Sequence, residues 1–185
     1  PAYLKGRISR SKLFLRTAEN FTNKKIDIHE AERIVSIDVK HKDAIFESGK
    51  AFTYEKLLLA TGGRVKEWGR KEDQSLVHRL QTLDDADRLF EAMPSIHNPL
   101  VVGSSFIGLE FLEIFLSNHI TPTLLVRDAH FFGNFLEEQG SELMHENFLH
   151  LGICVNYNDT VARIDHAAGG GMEVITKKLK KIPID

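Results

Sequence analysis

The sequence predicts an α/β fold, and residues 98–156 carry that prediction. Two short apolar runs, at 99–102 and 123–126, have the length and composition of strands that are buried on both faces. An apolar helical stretch at 106–116 lies between them, after a turn of glycine and serine. A strand, a turn, a helix and a second strand within about thirty residues have the size of one βαβ unit. We therefore expect two parallel strands with a helix packed across them.

The chain before this unit predicts loops followed by antiparallel strands. Residues 1–25 are basic and polar, which is typical of a loop with a short helix. Apolar and polar side chains alternate over 33–39, as in a half-buried strand. Residues 44–54 predict a hairpin that turns at Ser48-Gly49-Lys50. The continuous apolar run at 57–60 predicts a further strand, buried on both faces, that ends at a glycine pair.

Helices and strands alternate through the rest of the chain. After a connection at 64–80, an acidic first turn that suits the helix dipole predicts a helix at 84–90. Thr82 is its candidate N-cap, and Met93-Pro94 ends it. The later elements are one helix and three strands, at 136–151, 153–156, 161–164 and 172–176, with a glycine turn at 169–171.

Composition excludes several classes of function. Lysine and arginine total 24 against 26 acidic residues, a formal charge of −2, so we expect neither a nucleic-acid partner nor binding to an anionic membrane. The single cysteine, Cys154, excludes an intrachain disulfide and a cysteine zinc site, and its apolar neighbours predict a buried thiol. The basic run at 177–181 predicts a solvated turn or a sheet edge. No apolar stretch is long enough to span a membrane and no secretory signal opens the chain, so we expect a cytoplasmic protein.

The turn between the first parallel strand and its helix carries the functional argument. The nucleotide-binding fingerprint G-x-G-x-x-G follows a strand and opens a helix, and here it reads Gly103-Ser104-Ser105-Phe106-Ile107-Gly108. The first glycine allows the tight turn, and the last lets the helix pack closely. Ser105 replaces the middle glycine, and its hydroxyl either bonds a phosphate oxygen or crowds it. The motif indicates a Rossmann-like unit that holds a dinucleotide pyrophosphate at the helix N-terminus, and the alternative is a tight turn without a ligand.

The end of the second parallel strand selects between the two nicotinamide dinucleotides. An acidic residue there binds the ribose hydroxyls of NAD, whereas an arginine suits the extra phosphate of NADP. The chain has Val126-Arg127-Asp128 at this point. Arg127 therefore favours NADPH, while Asp128 either leaves NADH open or pairs with Arg127. His130 is a further candidate contact.

Three segments of the chain match motifs of one protein family. Residues 54–62 (YEKLLLATG) match the strand Y-[DE]-K-L-[LI]-[LI]-A-T-G, residues 80–86 (LQTLDDA) resemble L-R-T-L-x-D-A, and residues 102–110 (VGSSFIGLE) resemble V-G-G-G-F-I-G-L-E. In this order and spacing they resemble the FAD-dependent pyridine nucleotide-disulfide oxidoreductase superfamily. The most similar group lacks redox cysteines and contains rubredoxin and ferredoxin reductases, the flavin part of nitrite reductase, and apoptosis-inducing-factor-like proteins.

The resemblance implies how the chain is organised. The family fold is a flavin domain interrupted by a nicotinamide domain, both built as Rossmann-like three-layer units. Residues 1–97 would be a partial FAD-binding domain with its linker, and residues 98–185 most of the inserted NAD(P)H-binding domain. The first FAD fingerprint would precede Pro1, and the last strand of the nicotinamide domain would follow Asp185. We therefore expect a fragment that lacks both ends and does not bind FAD tightly by itself.

The resemblance also implies a reaction and the residues that serve it. NAD(P)H would dock on residues 103–108 and pass hydride to FAD, which would give electrons to a second acceptor. Glu110 would approach the nicotinamide and the flavin, although a helix-surface carboxylate is the alternative. Thr61 and Gly62 would bring backbone close to the flavin.

The first ten residues resemble a further family motif, Y-x-R-P-x-L-S-K. Lys5 stands in place of the arginine, and Arg10 stands in place of a lysine that lies near the reactive flavin nitrogen. Arg10 would then stabilise the anionic reduced flavin. A solvated basic loop is the alternative for this segment.

Other functions and the identity of the partner stay open at this stage. A catalytically degenerate NAD(P)-binding sensor or protein-interaction module is the main alternative, and Ser105 motivates it. The histidines do not have metal-binding spacing, and the glycine turn is one residue too long for a hydrolase nucleophile elbow. Candidate acceptors are ferredoxin, rubredoxin, nitrite, a quinone and oxygen. A ferredoxin- or rubredoxin-type protein and a second copy in a homodimer are the candidate protein partners.

Overall fold

The computed structural model describes residues 1–69, 71–133, 135–167 and 170–185. Its contacts divide the chain into two compact units. A small unit comprises residues 10–64, and a large unit comprises residues 1–9 together with residues 65–185. The division by contacts therefore falls at residue 64/65. The boundary at residue 97/98, which follows from family roles, stays a prediction.

The small unit is built around an antiparallel meander. Its strands are β1 (Ile34–Asp38), β2 (Asp43–Phe46) and β3 (Ala51–Thr53), which pair in the order β1-β2-β3. Helix α1 (Ala18–Thr22) begins after Thr17, whose hydroxyl accepts a hydrogen bond from the N–H of Asn20. A 3-10 helix precedes it at Arg10–Leu13. The predicted short helix, strand and hairpin are confirmed. The expectation that one face of this strand is buried is wrong, because Ile34, Val35 and Ser36 of β1 are all exposed.

The apolar run at residues 57–60 does not form a strand in the structure. None of its residues belongs to a strand, and Leu58 is 88% exposed. A strand that is buried on both faces needs a neighbour on each side to pair its N–H and C=O groups. No strand in the described part of the chain pairs with this run. The prediction of a strand at 57–60 is therefore wrong for this structure.

The large unit contains the predicted βαβ arrangement. Helix α2 (Leu83–Ala92) starts at the predicted cap Thr82, whose hydroxyl accepts from the N–H of Asp85. The elements that follow are β4 (Leu100–Val102), α3 (Phe106–Ser117), β5 (Thr123–Leu125), α4 (Glu138–His150) and β6 (Cys154–Asn156). The three strands are parallel in the order β4-β5-β6, and Val102, Leu125 and Asn156 align at their carboxyl ends. The predicted α/β fold is confirmed.

An antiparallel sheet follows the parallel one. Its strands are β7 (Val161–His166), β8 (Met172–Thr176) and β9 (Lys181–Ile184), paired in that order. A turn at 177–180 joins β8 to β9, which confirms that the lysine run forms a turn at a sheet edge. Strand β9 was not predicted, because Pro183 interrupts its short apolar alternation, and proline is tolerated on an edge strand. In the predicted glycine turn, Gly170 and Gly171 have positive φ, and Gly169 lies outside the described residues.

The core of the large unit is formed by the parallel strands and the helices beside them. Leu124, Phe131, Phe148 and Ile153 are almost fully buried there. Cys154 is exposed, so the prediction of a buried thiol is wrong. Successive side chains of a strand point to opposite faces, and the buried face at this point is taken by Ile153.

Candidate nucleotide-binding site

The chain leaves β4 through a turn that requires glycine. Gly103 has φ +122°, a backbone conformation that residues with a side chain rarely adopt. Its N–H donates to the carbonyl oxygen of Leu125 at 2.9 Å, which extends the pairing of β4 and β5 by one residue. Helix α3 begins only three residues later, at Phe106. The tight exit that the sequence indicates at Gly103 is present.

Helix α3 passes very close to this turn at Gly108. A Cβ atom at residue 108 would lie 2.8 Å from the carbonyl oxygen of Gly103, which is closer than Cβ atoms come to backbone oxygens in real structures. Because the oxygen belongs to the backbone, it cannot rotate away as a flexible side chain would. A side chain at residue 108 would therefore push the helix and the strand end apart.

Ser105 caps helix α3. Its Oγ accepts a hydrogen bond from the N–H of Gly108 at 3.4 Å, and its φ of −109° is ordinary extended backbone. A serine at this position satisfies one of the four N–H groups that the first turn of a helix leaves without a helical partner. This cap was not predicted, since the sequence indicated only that the Ser105 hydroxyl bonds a phosphate oxygen or crowds it. A hydroxyl that accepts one bond can still donate its own proton, so both roles are compatible.

The first turn of α3 presents backbone N–H groups to solvent. In the described part of the chain, nothing accepts a hydrogen bond from the N–H of Phe106 or Ile107. Phe106 and Ile107 are 62% and 63% exposed. Unpaired N–H groups and the positive end of the helix dipole together make a binding site for an anion. The turn therefore has the open backbone and the charge that a pyrophosphate requires.

Aromatic rings fix the surroundings of this helix start. The ring centroid of Phe106 lies 4.7 Å from that of Phe132 and 5.7 Å from that of Phe135. Phe132 packs on Phe131, and Phe131 packs on Phe148 of α4. The loop after β5 is thereby held against the start of α3 on one side and against the core on the other.

The end of β5 presents the residues that are predicted to select the cofactor. Val126 is fully buried, whereas the Arg127 side chain is 77% exposed, with its Nε 3.3 Å from Oδ1 of Asp128. The pairing that the sequence left open for Asp128 is thus present. His130 is exposed nearby in the sequence. The roles of Arg127 and Asp128 in nucleotide binding stay predictions.

Lys5 has a structural partner in the large unit. Its Nζ lies 2.5 Å from Oε1 of Glu113 on α3, and only 6% of its side chain is exposed. The hydrogen bond from Lys5, followed by the charge of its ammonium, lowers the pKa of Glu113 below its usual value. A cofactor contact for Lys5 stays a prediction, and it would compete with this ion pair.

The remaining predicted site residues are placed in both units. Glu110 is exposed on α3. In the small unit, the guanidinium carbon of Arg10 lies 5.9 Å from the ring centroid of Phe14. Thr61 and Gly62 are exposed there, and Gly62 has φ +66°. Their roles toward a flavin or nicotinamide stay predictions.

A polar network at the carboxyl end of β6 was not predicted. Asn156 is buried, and its Oδ1 accepts a hydrogen bond from the ammonium of Lys180. Burial raises the pKa of Asp159, but hydrogen bonds from the Thr176 hydroxyl and from the N–H groups of Thr160 and Lys178 outweigh it and hold the pKa below its usual value. The only signal in the sequence was a polar residue at the end of an apolar strand.

The described residues contain neither a metal site nor a membrane-spanning helix. No group of three or more histidine, cysteine, aspartate or glutamate side chains is arranged there to hold a metal ion. No helix within those ranges is both long enough and apolar enough to cross a membrane.

Comparison with known proteins places the chain in a family. The profile of the pyridine nucleotide-disulphide oxidoreductases matches residues 3–185, so the chain belongs to this family. The resemblance inferred from the three sequence motifs is confirmed. The site at 103–108 thus lies in a chain whose family is defined by nicotinamide nucleotide chemistry.

Individual relatives and solved structures agree with this assignment. Peroxisomal monodehydroascorbate reductase 1 of Oryza sativa subsp. japonica is 28% identical over 95% of this chain and 38% of its own length. Putidaredoxin reductase of Pseudomonas putida is 28% identical over 67% of this chain and 30% of its own length. A ferredoxin reductase structure from Rhodopseudomonas palustris matches with a TM-score of 0.88 and 27% identity, over all of this chain and 46% of that one. The chain therefore spans less than half the length of these relatives.

Proposed function

We propose that this chain is the nicotinamide-binding part, with a portion of the flavin-binding part, of an FAD-dependent NAD(P)H oxidoreductase. The complete protein would pass hydride from NAD(P)H to the flavin and electrons on to a second acceptor. The observation that carries the proposal is the turn at 103–108, where two glycines bring a helix start against a strand end and leave N–H groups open. Membership of the pyridine nucleotide-disulphide oxidoreductase family supports the same cofactors.

The residues of the turn would hold and orient the nucleotide. The N–H groups of Phe106 and Ile107 would donate to the pyrophosphate, and the hydroxyl of Ser105 would add a further bond. Arg127 would meet the ribose of the adenosine. The nicotinamide and the flavin, when bound, supply the hydride transfer itself. The chain is then required to align the nucleotide, not to move a proton.

The small unit would contribute to flavin binding. At Gly62 no atom lies within 4 Å of the place that a Cβ would occupy, so a ligand can approach the backbone of Thr61 and Gly62 closely. Arg10 would supply positive charge to the anionic reduced flavin. Glu110 of the large unit would approach the nicotinamide.

The second acceptor is proposed by class. Relatives include a putidaredoxin reductase and the ferredoxin--NAD(+) reductase component of a biphenyl dioxygenase system, which supports a ferredoxin-type protein as acceptor. Other relatives are monodehydroascorbate reductases, which supports a small organic acceptor instead. A rubredoxin-type partner, a homodimer and a cytoplasmic location stay predictions.

Anaerobic mixing of the flavin-loaded, full-length protein with NADH, and separately with NADPH, tests the proposal. We expect at least one donor to bleach the flavin absorbance. Gly108→Ala is the matched variant, and it should retain flavin but bleach more slowly, because residue 108 belongs to the nicotinamide site. A protein that retains flavin and bleaches with neither donor would contradict the reductase function. That result would favour a NAD(P)-binding sensor or a protein-interaction module.

A further inference from the structure

Lys180, the last residue of the turn between β8 and β9, and Lys181, the first residue of β9, have different partners. The ammonium of Lys180 donates to Oδ1 of Asn156, at the end of the parallel strand β6. The ammonium of Lys181 lies 2.7 Å from Oε1 of Glu173, on the neighbouring strand β8. Lys180 therefore reaches the parallel sheet, whereas Lys181 stays within the antiparallel one.

The segment that Lys180 reaches is bonded directly to the loop of Arg127. The carbonyl oxygen of Asn156 accepts from the N–H of Val126 at 2.8 Å, one residue before Arg127. Beyond it, the N–H of Asn158 donates to the carbonyl oxygen of Asp128 at 3.1 Å. The Lys180 ammonium thus lies beside the carboxyl end of β6, and β6 pairs with β5, the strand that Arg127 follows.

The turn that carries Lys180 is held in place by hydrogen bonds to partly buried and buried partners. The N–H of Lys180 donates to the Thr176 hydroxyl at 3.1 Å, and Thr176 is fully buried. The N–H of Lys178 donates to Oδ1 of Asp159 at 3.2 Å, and the N–H of Lys177 donates to the Thr160 carbonyl oxygen at 2.8 Å. A positioned cation loses less conformational entropy when it binds an anion than a freely moving one does.

The charges at this edge differ in how far they are neutralised. Arg127 lies beside the carboxylate of Asp128, which offsets its charge. Lys180 is bonded to a neutral amide oxygen, which does not offset its charge. An ammonium retains three N–H donors, and only one of them is needed for Asn156. Lys180 is therefore the better placed of the two cations to attract a second anion.

We propose that Lys180 is a specificity-determining residue that binds the 2′-phosphate of NADPH together with Arg127. The proposal rests on the nucleotide site described above and goes beyond it, because it assigns the preference for NADPH to a strand turn outside the βαβ unit. The 2′-phosphate is the group by which NADPH differs from NADH, so a contact with Lys180 would change the affinity for NADPH alone.

Two nucleotide fragments that differ only in this phosphate test the proposal. Adenosine 2′,5′-bisphosphate and adenosine 5′-monophosphate would be titrated calorimetrically into the flavin-loaded, full-length protein. We expect Lys180→Gln to lower the affinity for the bisphosphate about tenfold, as for loss of one charge-assisted hydrogen bond. The affinity for the monophosphate should change by less than about twofold. Lys181→Gln removes the same charge from the next residue and should leave both affinities unchanged, because Lys181 is paired with Glu173.

The outcomes separate this proposal from the proposed function. One outcome is that the wild-type protein binds both fragments while Lys180→Gln lowers the affinity for neither, or lowers both affinities equally. In either case the role of Lys180 is overturned and the nucleotide site stands. If Lys181→Gln has the same effect as Lys180→Gln, the effect is general surface charge and the specific contact is overturned. If the wild-type protein binds neither fragment, the nucleotide site itself is overturned and the role of Lys180 with it.

Discussion

Residues 57–62 and residues 100–103 share a local pattern, an apolar run that ends at glycine, yet they fold differently. Residues 100–102 form β4 and pair with β5, whereas residues 57–60 pair with no strand in the described ranges. Leu124, in the middle of the parallel sheet, is fully buried, while Leu58 is 88% exposed. Apolar composition therefore does not make a strand by itself. A neighbour that completes the ladder of hydrogen bonds is also required.

The largest expected difference between the two regions is in stability. Leu124→Ala should lower the free energy of unfolding of the 185-residue chain by about 2–5 kcal/mol, because it leaves a cavity in a packed core. Leu58→Ala should change it by less than about 0.5 kcal/mol, as exposed substitutions usually do. Urea unfolding measures both. Equal losses of stability in the two variants would show that residues 57–60 are buried in solution, and would contradict the difference between the two regions.

Two glycines that follow the two runs, Gly108 in α3 and Gly63, provide a second contrast. Gly108→Ala should lower the free energy of unfolding by about 1–3 kcal/mol, as overpacking does, because the new Cβ would lie 2.8 Å from the carbonyl oxygen of Gly103. Gly63→Ala is the matched control. No atom lies within 4 Å of its added Cβ and its φ is not positive, so the change should stay within about 0.5 kcal/mol. Thermal unfolding of both variants decides the point, and an unaffected Gly108→Ala would contradict the close helix approach.

The cap of α3 offers a smaller and more selective test. Ser105→Ala should destabilise the chain by about 1 kcal/mol, the usual effect of losing an N-cap, whereas Ser105→Gly should cost only a few tenths. Ser105→Gly also restores the middle glycine of the fingerprint, so nucleotide binding should be at least as tight as in the wild type. Ser104→Ala is the neighbouring control. A loss from Ser104→Ala as large as that from Ser105→Ala would argue against the cap.

The smallest expected effect is a dependence on pH at the carboxyl edge of β6. Since the folded protein holds the pKa of Asp159 below its usual value of 3.8, this residue stabilises the fold above pH 3.8 and loses that contribution as the pH falls through the lowered pKa. Asp159→Asn should therefore be less stable than the wild type at neutral pH. This gap, the difference between the two free energies of unfolding, should narrow below pH 3.8. Urea unfolding across this range measures the gap, and a gap independent of pH would contradict the assignment.

The elements that the sequence predicts correctly are specified by neighbouring residues. Thr82 and its partner Asp85 lie three residues apart and cap α2 by themselves, and Gly103 and Gly108 define a turn by their spacing. The errors arise where distant residues decide. Residues 57–60 would form a strand only if other strands paired with them. Cys154 is exposed, whereas Ile153, the residue just before β6, is buried in the core.

The candidate site divides in the same way. The glycine turn and Arg127 could be singled out from the sequence because they lie within one βαβ unit. Lys180 could not be singled out in this way, because its contact with Asn156 spans 24 residues. That contact also depends on the hydrogen bonds between the turn that joins β8 to β9 and the loop after β6. A basic run in the sequence indicates a solvated turn, and only the fold shows which lysine points at the sheet.

The most direct test of the account is the amide NMR spectrum of the chain on addition of NADH or NADPH. The account predicts that the N–H signals of Phe106 and Ile107 move, together with those of Gly103 and Gly108, while those of residues 57–62 do not. Shifts confined to other parts of the chain, or none at millimolar nucleotide, would contradict a nucleotide site at the start of α3.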